Sequence, residues 1–333
     1  MPRAIQYGFL AICLIIGIQF YFWYRYFATG GNSIQVPRPA GAEGFLPLSA
    51  LIGLKYWLLT GVVNNVHPAS LAIFLAVITV SLVFKKSFCS FICPIGLISE
   101  WHWMLGRRLL GRKFVAPFGW KPPAWVDYPL RSLKYLLLFF FVKAILIGMN
   151  TDALKSFIES PYNKIADVKM LLFFIKMSSL AFGIILLLMV ASLFISNFWC
   201  RYLCPYGGLL GLLSFLSPVK IRRQAGTCTD CLACTRACPA MIKVHQVKVV
   251  RSDECTNCLE CVRVCPVENT LFPAAAFAKR KVSPRAVALG VLAIFLAFYI
   301  GGRISGHWTN NISEQDYIYH IQYMDGLEYN HLR

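Results

Sequence analysis

Charge is what this chain has least of. Only 14% of its 333 residues are charged, and acidic ones are scarcest, with 15 Asp and Glu against 33 Lys and Arg. Three familiar motifs are missing too. Without C-x-x-C-H, G-x-G-x-x-G or a Walker A loop, nothing supports covalent haem, Rossmann nucleotide binding or ATP hydrolysis. The formal net charge of +18 comes with no nucleic-acid motif. The basic residues flank apolar runs, where they set topology, so nucleic acid is not an expected partner. What is abundant is apolar: 57% of the residues are hydrophobic and mean hydropathy is +0.58. That exceeds an ordinary soluble composition and predicts a membrane protein, with membrane lipid as its first partner.

Cysteine is abundant, at 13 residues. Cys13 lies in an apolar run and reads as packing. The other twelve fall into four motifs and read as ligands or redox thiols rather than disulfides. Residues 228–239 read CTDCLACTRACP and residues 255–266 read CTNCLECVRVCP. Each is C-x2-C-x2-C-x3-C-P, the bacterial two-cluster ferredoxin pattern, in which the fourth cysteine of each run ligates the other cluster. One [4Fe–4S] cluster is expected on Cys228, Cys231, Cys234 and Cys265. The other is expected on Cys255, Cys258, Cys261 and Cys238. Zinc loops show paired C-x2-C rather than three cysteines at consecutive x2 spacings. Pro239 and Pro266 turn the chain away after each run.

The rest of the chain alternates apolar runs with charged loops. Residues 4–23 are long enough to span a bilayer and, with no cleavage site following, read as a retained anchor in segment 1–28. Segment 29–66 reads as a periplasmic loop holding a short interfacial helix at 48–59, interrupted by Lys55. Further spans are expected at 67–84, 133–149, within 170–195, and at 286–300, inside segment 284–302. The loop with Arg107, Arg108, Arg112, Lys113 and Lys121 marks the cytoplasmic side, and the 150–168 loop, with balanced charge, suits the outside. Lys85 and Lys86 end the second span. Segment 219–272 is the ferredoxin module, with a short hairpin expected at 242–250. Segment 303–333 reads as a periplasmic tail that docks. The fold class expected is thus an α-helical membrane protein of about five spans with an inserted cytoplasmic α+β two-[4Fe–4S] module, and the membrane expected is the bacterial inner membrane.

Segment 67–218 contains a repeat. Residues 80–98 (VSLVFKKSFCSFICPIGLI) overlay residues 191–209 (ASLFISNFWCRYLCPYGGL). Each is a span running into C-x3-C-P-x-G. Duplicated membrane units commonly place a shared site between them, which would gather Cys89, Cys93, Cys200 and Cys204 into a further redox or metal site. On a helix, i and i+4 share a face, so each pair could act jointly. Glu100 and His102, beside Trp101 and Trp103, are candidate proton acceptors for a quinol, although an interfacial aromatic belt explains them as well. Lys143 and Lys176 read as snorkelling side chains, and His67 as a span cap or a ligand.

With both cysteine patterns in view, residues 67–272 resemble the NapH/NosR family of membrane-bound ferredoxin-type proteins. The resemblance rests on Cys89, Cys93, Pro94, Cys200, Cys204 and Pro205 followed by the two ferredoxin runs. It implies electron relay between a membrane quinol or flavin donor and a partner redox protein. This chain departs from NapH-like chains by a fifth span and a tail, and from the NosR type by lacking a large flavin domain. The main expectation is a quinone-linked electron-transfer subunit. The alternatives are a copper-reducing assembly factor, because soft thiolates select Cu(I), and a redox-sensing scaffold without turnover.

Overall fold

The structure is a computed structural model, and it describes residues 2–111, 114–115, 122–275 and 281–324. Arg112, Lys113, Lys121, Lys279, Arg280, His331 and the end of the tail lie outside these. The chain separates into two compact units. One comprises residues 1–10, 77–139 and 180–294, and the other residues 11–76, 140–179 and 295–333.

Two helices among the described residues are long and apolar enough to cross a membrane: α1 (Pro2–Ala28), apolar from Arg3 onward, and α15 (Pro284–Ile304). The number rises to four if each of two bent pairs forms one span. The first pair is α6 (Ala124–Leu146) with α7 (Thr151–Glu159). The second is α9 (Ala166–Ile175) with α10 (Ser179–Phe194). Helix α3 (Pro68–Phe84) is apolar but has 17 residues. The span expected within 170–195 is therefore interrupted, with Lys176 at the end of α9. The span expected from 133 begins at Ala124, so Asp127, Arg131 and Lys134 fall inside a helix.

The first unit holds all twelve motif cysteines. After α3 come α4 (Phe88–Phe91) and α5 (Pro94–Leu109). After α10 come α11 (Phe198–Tyr202) and α12 (Pro205–Leu213). The ferredoxin module is framed by strands β1 (Val219–Arg223) and β2 (Leu271–Ala275), antiparallel with Val219 opposite Ala275 and Arg223 opposite Leu271. Between them are α13 (Ala233–Arg236) and α14 (Glu260–Arg263). The hairpin expected at 242–250 does not form. Residues Val244–Gln246 make a 3-10 turn, and the Arg223 amide donates to the Lys248 carbonyl at 2.9 Å, occupying the acceptor that a hairpin partner would need.

Helix α5 is amphipathic along a 3.6-residue period. Ile95, Ile98, Trp101, Leu105 and Leu109 are exposed on one side, while Gly96, Leu97, Ser99, Trp103 and Gly106 are buried. Gly106 packs directly under the carbonyl of Leu193, so a β-carbon there would collide with backbone. Replacing Gly106 with alanine is expected to destabilise the protein by about 1–3 kcal/mol, the usual cost of overpacking. A thermal-unfolding midpoint equal to wild type would refute that packing.

The second unit is organised by α2 (Pro47–Thr60), α8 (Pro161–Lys164), α9 and α16 (Glu314–Gln322). Phe20, Trp23, Phe27, Ile165, Val168 and Tyr317 form its main apolar cluster. Lys55, read from sequence as an interruption, reaches the carbonyls of Ile145, Leu146 and Met149 and so caps the C-terminus of α6. The tail helix α16 buries Tyr317, His320 and Ile321.

Candidate redox site

Each C-x3-C-P motif is built the same way, and not as a continuous helix. Cys89 sits in α4 and Cys200 in α11, whereas Cys93 and Cys204 are the N-caps of α5 and α12. The residue before proline avoids the helical region, and both caps are extended, at φ −64 ψ 118 and φ −72 ψ 105. The Cys93 amide bonds back to the Phe88 carbonyl at 3.0 Å and the Cys204 amide to the Trp199 carbonyl at 2.9 Å, a six-residue turn in both. The i, i+4 helical face expected for each pair is thus replaced by a helix break at proline. The motif glycine has its own cause. Gly96 lies against the Cys89 carbonyl, and a β-carbon on Gly207 would sit 3.4 Å from the Cys200 carbonyl.

The repeat brings the four thiols together. Cys200 feels Cys93, Cys204 and Cys89 electrostatically, and Cys89 feels Cys93 and Cys204. Burial pushes the Cys89 thiol up to about 12 and Cys200 well above the usual thiol range, with Lys86 pulling both down. Lys86 is only 2% exposed. A β-carbon on Gly207 would lie 3.5 Å from the Lys86 Nζ and 3.6 Å from the Cys204 β-carbon. Lys85 is fully buried and donates to the carbonyls of Val250 (3.3 Å) and Ser252 (2.9 Å). From sequence the two lysines mark the end of a span, and nothing in the K-K pair says that both are buried.

The ferredoxin module repeats its own backbone. Asp230 and Leu232 in the first run, and Asn257 and Leu259 in the second, have φ between 49° and 65°. This left-handed pair around the middle cysteine curls each loop, and α13 and α14 start just after it. Two cavities result. One is lined by Cys228, Cys231, Cys234 and Cys265, together with Arg223 and His245. The other is lined by Cys238, Cys255, Cys258 and Cys261, among Ile221, Ile242, Val244 and Val250. Each cavity collects three thiols from one run and one from the other, a donor set fitting one cubane. No three His, Cys, Asp or Glu side chains among the described residues converge on a single-ion site.

The second, more apolar cavity lies against the C-x3-C-P core. Ser90, between Cys89 and Cys93, donates to the Thr256 carbonyl at 2.7 Å, and Asn257 donates to the Phe84 carbonyl at 3.2 Å. An ionic network ties the same loop down. Glu254 pairs with Lys134 and, at 3.3 Å, with Arg131, and Asp253 pairs with Arg131 at 3.2 Å and accepts from Tyr135. Arg201 donates to the Ala240 carbonyl at 3.0 Å and grips Asp127 with three bonds of 2.8–3.1 Å. None of these partners carries a periodicity or motif, so sequence reasoning missed them. Glu100 and Pro239 line both the closed space between Cys89 and Cys200 and an open groove under α5. His102 turns back to the Ile98 carbonyl at 2.9 Å.

Comparison with known proteins matches this layout. A family model described as "4Fe-4S binding domain" matches residues 66–113 and again 179–224, one match per repeat unit. A second, "4Fe-4S dicluster domain", matches residues 220–266. The Escherichia coli K12 protein named "Putative electron transport protein YccM" is 43% identical over 95% of this chain and 88% of its own length. The chain belongs to the membrane-bound ferredoxin-type family. MauN, a methylamine utilization ferredoxin-type protein of Paracoccus denitrificans, is 30% identical over 47% of this chain and 50% of its own. NapH of Escherichia coli K12, a ferredoxin-type protein, is 27% identical over 52% and 55%. No solved structure matches. This is therefore a membrane iron–sulfur protein, as its composition and cysteine spacing indicate.

Proposed function

We propose that this chain relays electrons between the quinone pool and a partner redox protein, through two [4Fe–4S] clusters and the four-cysteine core. The observation that carries the reading is the contact between the second cysteine cavity and the C-x3-C-P core through Ser90 and Thr256. Cys228, Cys231, Cys234 and Cys265 would hold one cluster, and Cys238, Cys255, Cys258 and Cys261 the other. When bound, each cluster supplies one-electron exchange. The chain's own part is positioning. Left-handed residues curl the loops, the Glu254–Lys134 and Asp253–Arg131 pairs lock the inner loop, and Lys86 places positive charge beside thiols that burial keeps neutral. The topology proposed is five spans in a bacterial inner membrane, with the N-terminus and module cytoplasmic and the C-terminus periplasmic.

The competing reading is copper handling by the four thiols. The four thiols are soft donors of the kind that select Cu(I), but among the described residues no three of them converge on a single-ion site. The buried Lys86 ammonium among them opposes a cation, so the relay reading is preferred.

Replacing Cys89, Cys93, Cys200 and Cys204 together with serine tests it. Iron content and the reduced-cluster spectrum should stay at wild-type levels. Reoxidation of dithionite-reduced clusters in membrane vesicles should slow by roughly tenfold or more. Unchanged reoxidation would remove the core from the relay. Copper that copurifies with wild type and disappears in the variant would favour metal handling instead.

A further inference from the structure

Beneath α5 runs an open groove of about 410 Å3, within the range of small-ligand sites. One wall is a single face of α5, formed by Glu100, Trp103, Met104 and Arg107 at helical spacing. The other is the ferredoxin module, through Ala233, Arg236, Ala237, Pro239 and Val264. These are the sequence neighbours of Cys234, Cys238 and Cys265, so the groove reaches ligand positions of both clusters. We infer that this groove is the binding site for the headgroup of an isoprenoid quinone, a site that rests on the quinone-linked reading above.

The chemistry of the walls selects the occupant. Trp103, Met104 and Val264 offer apolar surface to a flat ring. Arg3, Arg107, Arg236 and Arg263 line the groove and can donate to quinone oxygens. Arg263 and Arg3 lean on Glu260, at 2.6 and 3.8 Å, and Arg107 stacks over the Trp103 ring at 5.0 Å. Glu100 argues against a phosphate. A carboxylate inside the groove accepts from a hydroxyl, which a quinol presents and a phosphodiester lacks. Burial lifts Glu100 to about 7, so it exchanges protons near neutrality. The face of α5 opposite the groove exposes Ile95, Ile98, Trp101 and Leu105, an apolar stripe suited to lipid, so α5 lies at the membrane boundary in which a quinone is dissolved. Oxidation of one bound quinol breaks two O–H bonds and releases two protons and two electrons. One proton goes to the Glu100 carboxylate and the other to water, and the two electrons would leave singly toward the clusters that Cys234, Cys238 and Cys265 would help to hold. Quinone reduction is the reverse.

The test uses the full chain in nanodiscs with an azido-substituted naphthoquinone carrying a short isoprenoid tail. Photolabel is expected on residues 100–107 and 233–239. Met104→Trp, which fills the groove, and Glu100→Gln should each lower labelling by roughly tenfold and slow quinol-driven cluster bleaching, while dithionite still reduces the clusters fully. If quinol reduces wild type and both variants equally, or the label lands elsewhere, the groove assignment is overturned and the quinone-linked function stands. If quinol neither labels nor reduces a chain that dithionite reduces, both are overturned. Label displaced by anionic phospholipid but not by excess naphthoquinol would reassign the groove to a phosphate headgroup.

Discussion

Cys238→Ser is expected to behave like Cys258→Ser and unlike Cys228→Ser, although Cys238 belongs to the same run as Cys228. Iron should fall from about eight to about four atoms per chain, and the surviving cluster signal should be the one that Cys228→Ser removes. The reason is the cavity grouping, which puts Cys238 with Cys255, Cys258 and Cys261. Burial raises the Cys238 thiol to about 11 and holds Cys258 and Cys261 well above the ordinary thiol range. These groups are therefore costly to ionise unless a metal centre takes the thiolate, so cluster loss and loss of local order should occur together. If all four serve one centre, Cys238→Ser combined with Cys258→Ser should be no worse than either alone. Iron analysis with EPR of the reduced protein decides it. If the Cys238→Ser spectrum matches Cys228→Ser, each run holds its own cluster and the crossed assignment is wrong.

The parts of this site that sequence reveals are those where chemistry fixes the spacing. A cubane would need four thiolates, and the x2-x2-x3 rhythm marks the eight cysteines that the fold groups four to a cavity. The repeat is legible because C-P-x-G has a local cause: proline ends α4 and α11, and in the first unit Gly96 clears the Cys89 carbonyl. Positions whose role depends on a distant partner are not legible. Lys85 and Lys86 look like the end of a span, and only the arrival of the 250–254 loop and the second repeat buries them. Asp167 and His67 look like a loop charge and a span cap. Both are fully buried, and Arg38 bridges Asp167 to the Glu43 that His67 faces. Helix length fails for the same reason. Apolar content in 170–195 is high enough for a span, but hydropathy contains no term for the break at 176–178.

Removing Arg38 should be among the costliest changes outside the cysteines. Its guanidinium bridges Glu43 at 2.9 Å and Asp167 at 2.5 Å, and both carboxylates are fully buried. Arg38→Met would leave two buried acids with only the His67 imidazolium to balance them, a loss of about 3–5 kcal/mol. Combining it with Glu43→Gln and Asp167→Asn should recover much of that loss, since the penalty lies in the stranded charges. His67 adds a pH dependence with a definite sign. Its Nε2 lies 2.6 Å from the Asn163 carbonyl, which can only accept, so Nε2 carries a hydrogen. Its Nδ1 faces Glu43 Oε1 at 3.5 Å, again an acceptor. Two acceptors favour the imidazolium, and one guanidinium against two carboxylates leaves a single negative charge for it to balance. Burial opposes that proton, but the Glu43 partner outweighs it and the His67 pKa rises above its ordinary value. A raised folded-state value stabilises fully below the unfolded value of about 6.5 and is lost as pH climbs through the folded one. Unfolding midpoints should therefore decline with rising pH above neutrality in wild type and less so in His67→Gln. Parallel pH profiles for the two proteins would show that His67 carries no extra proton and that Glu43 is balanced by Arg38 alone.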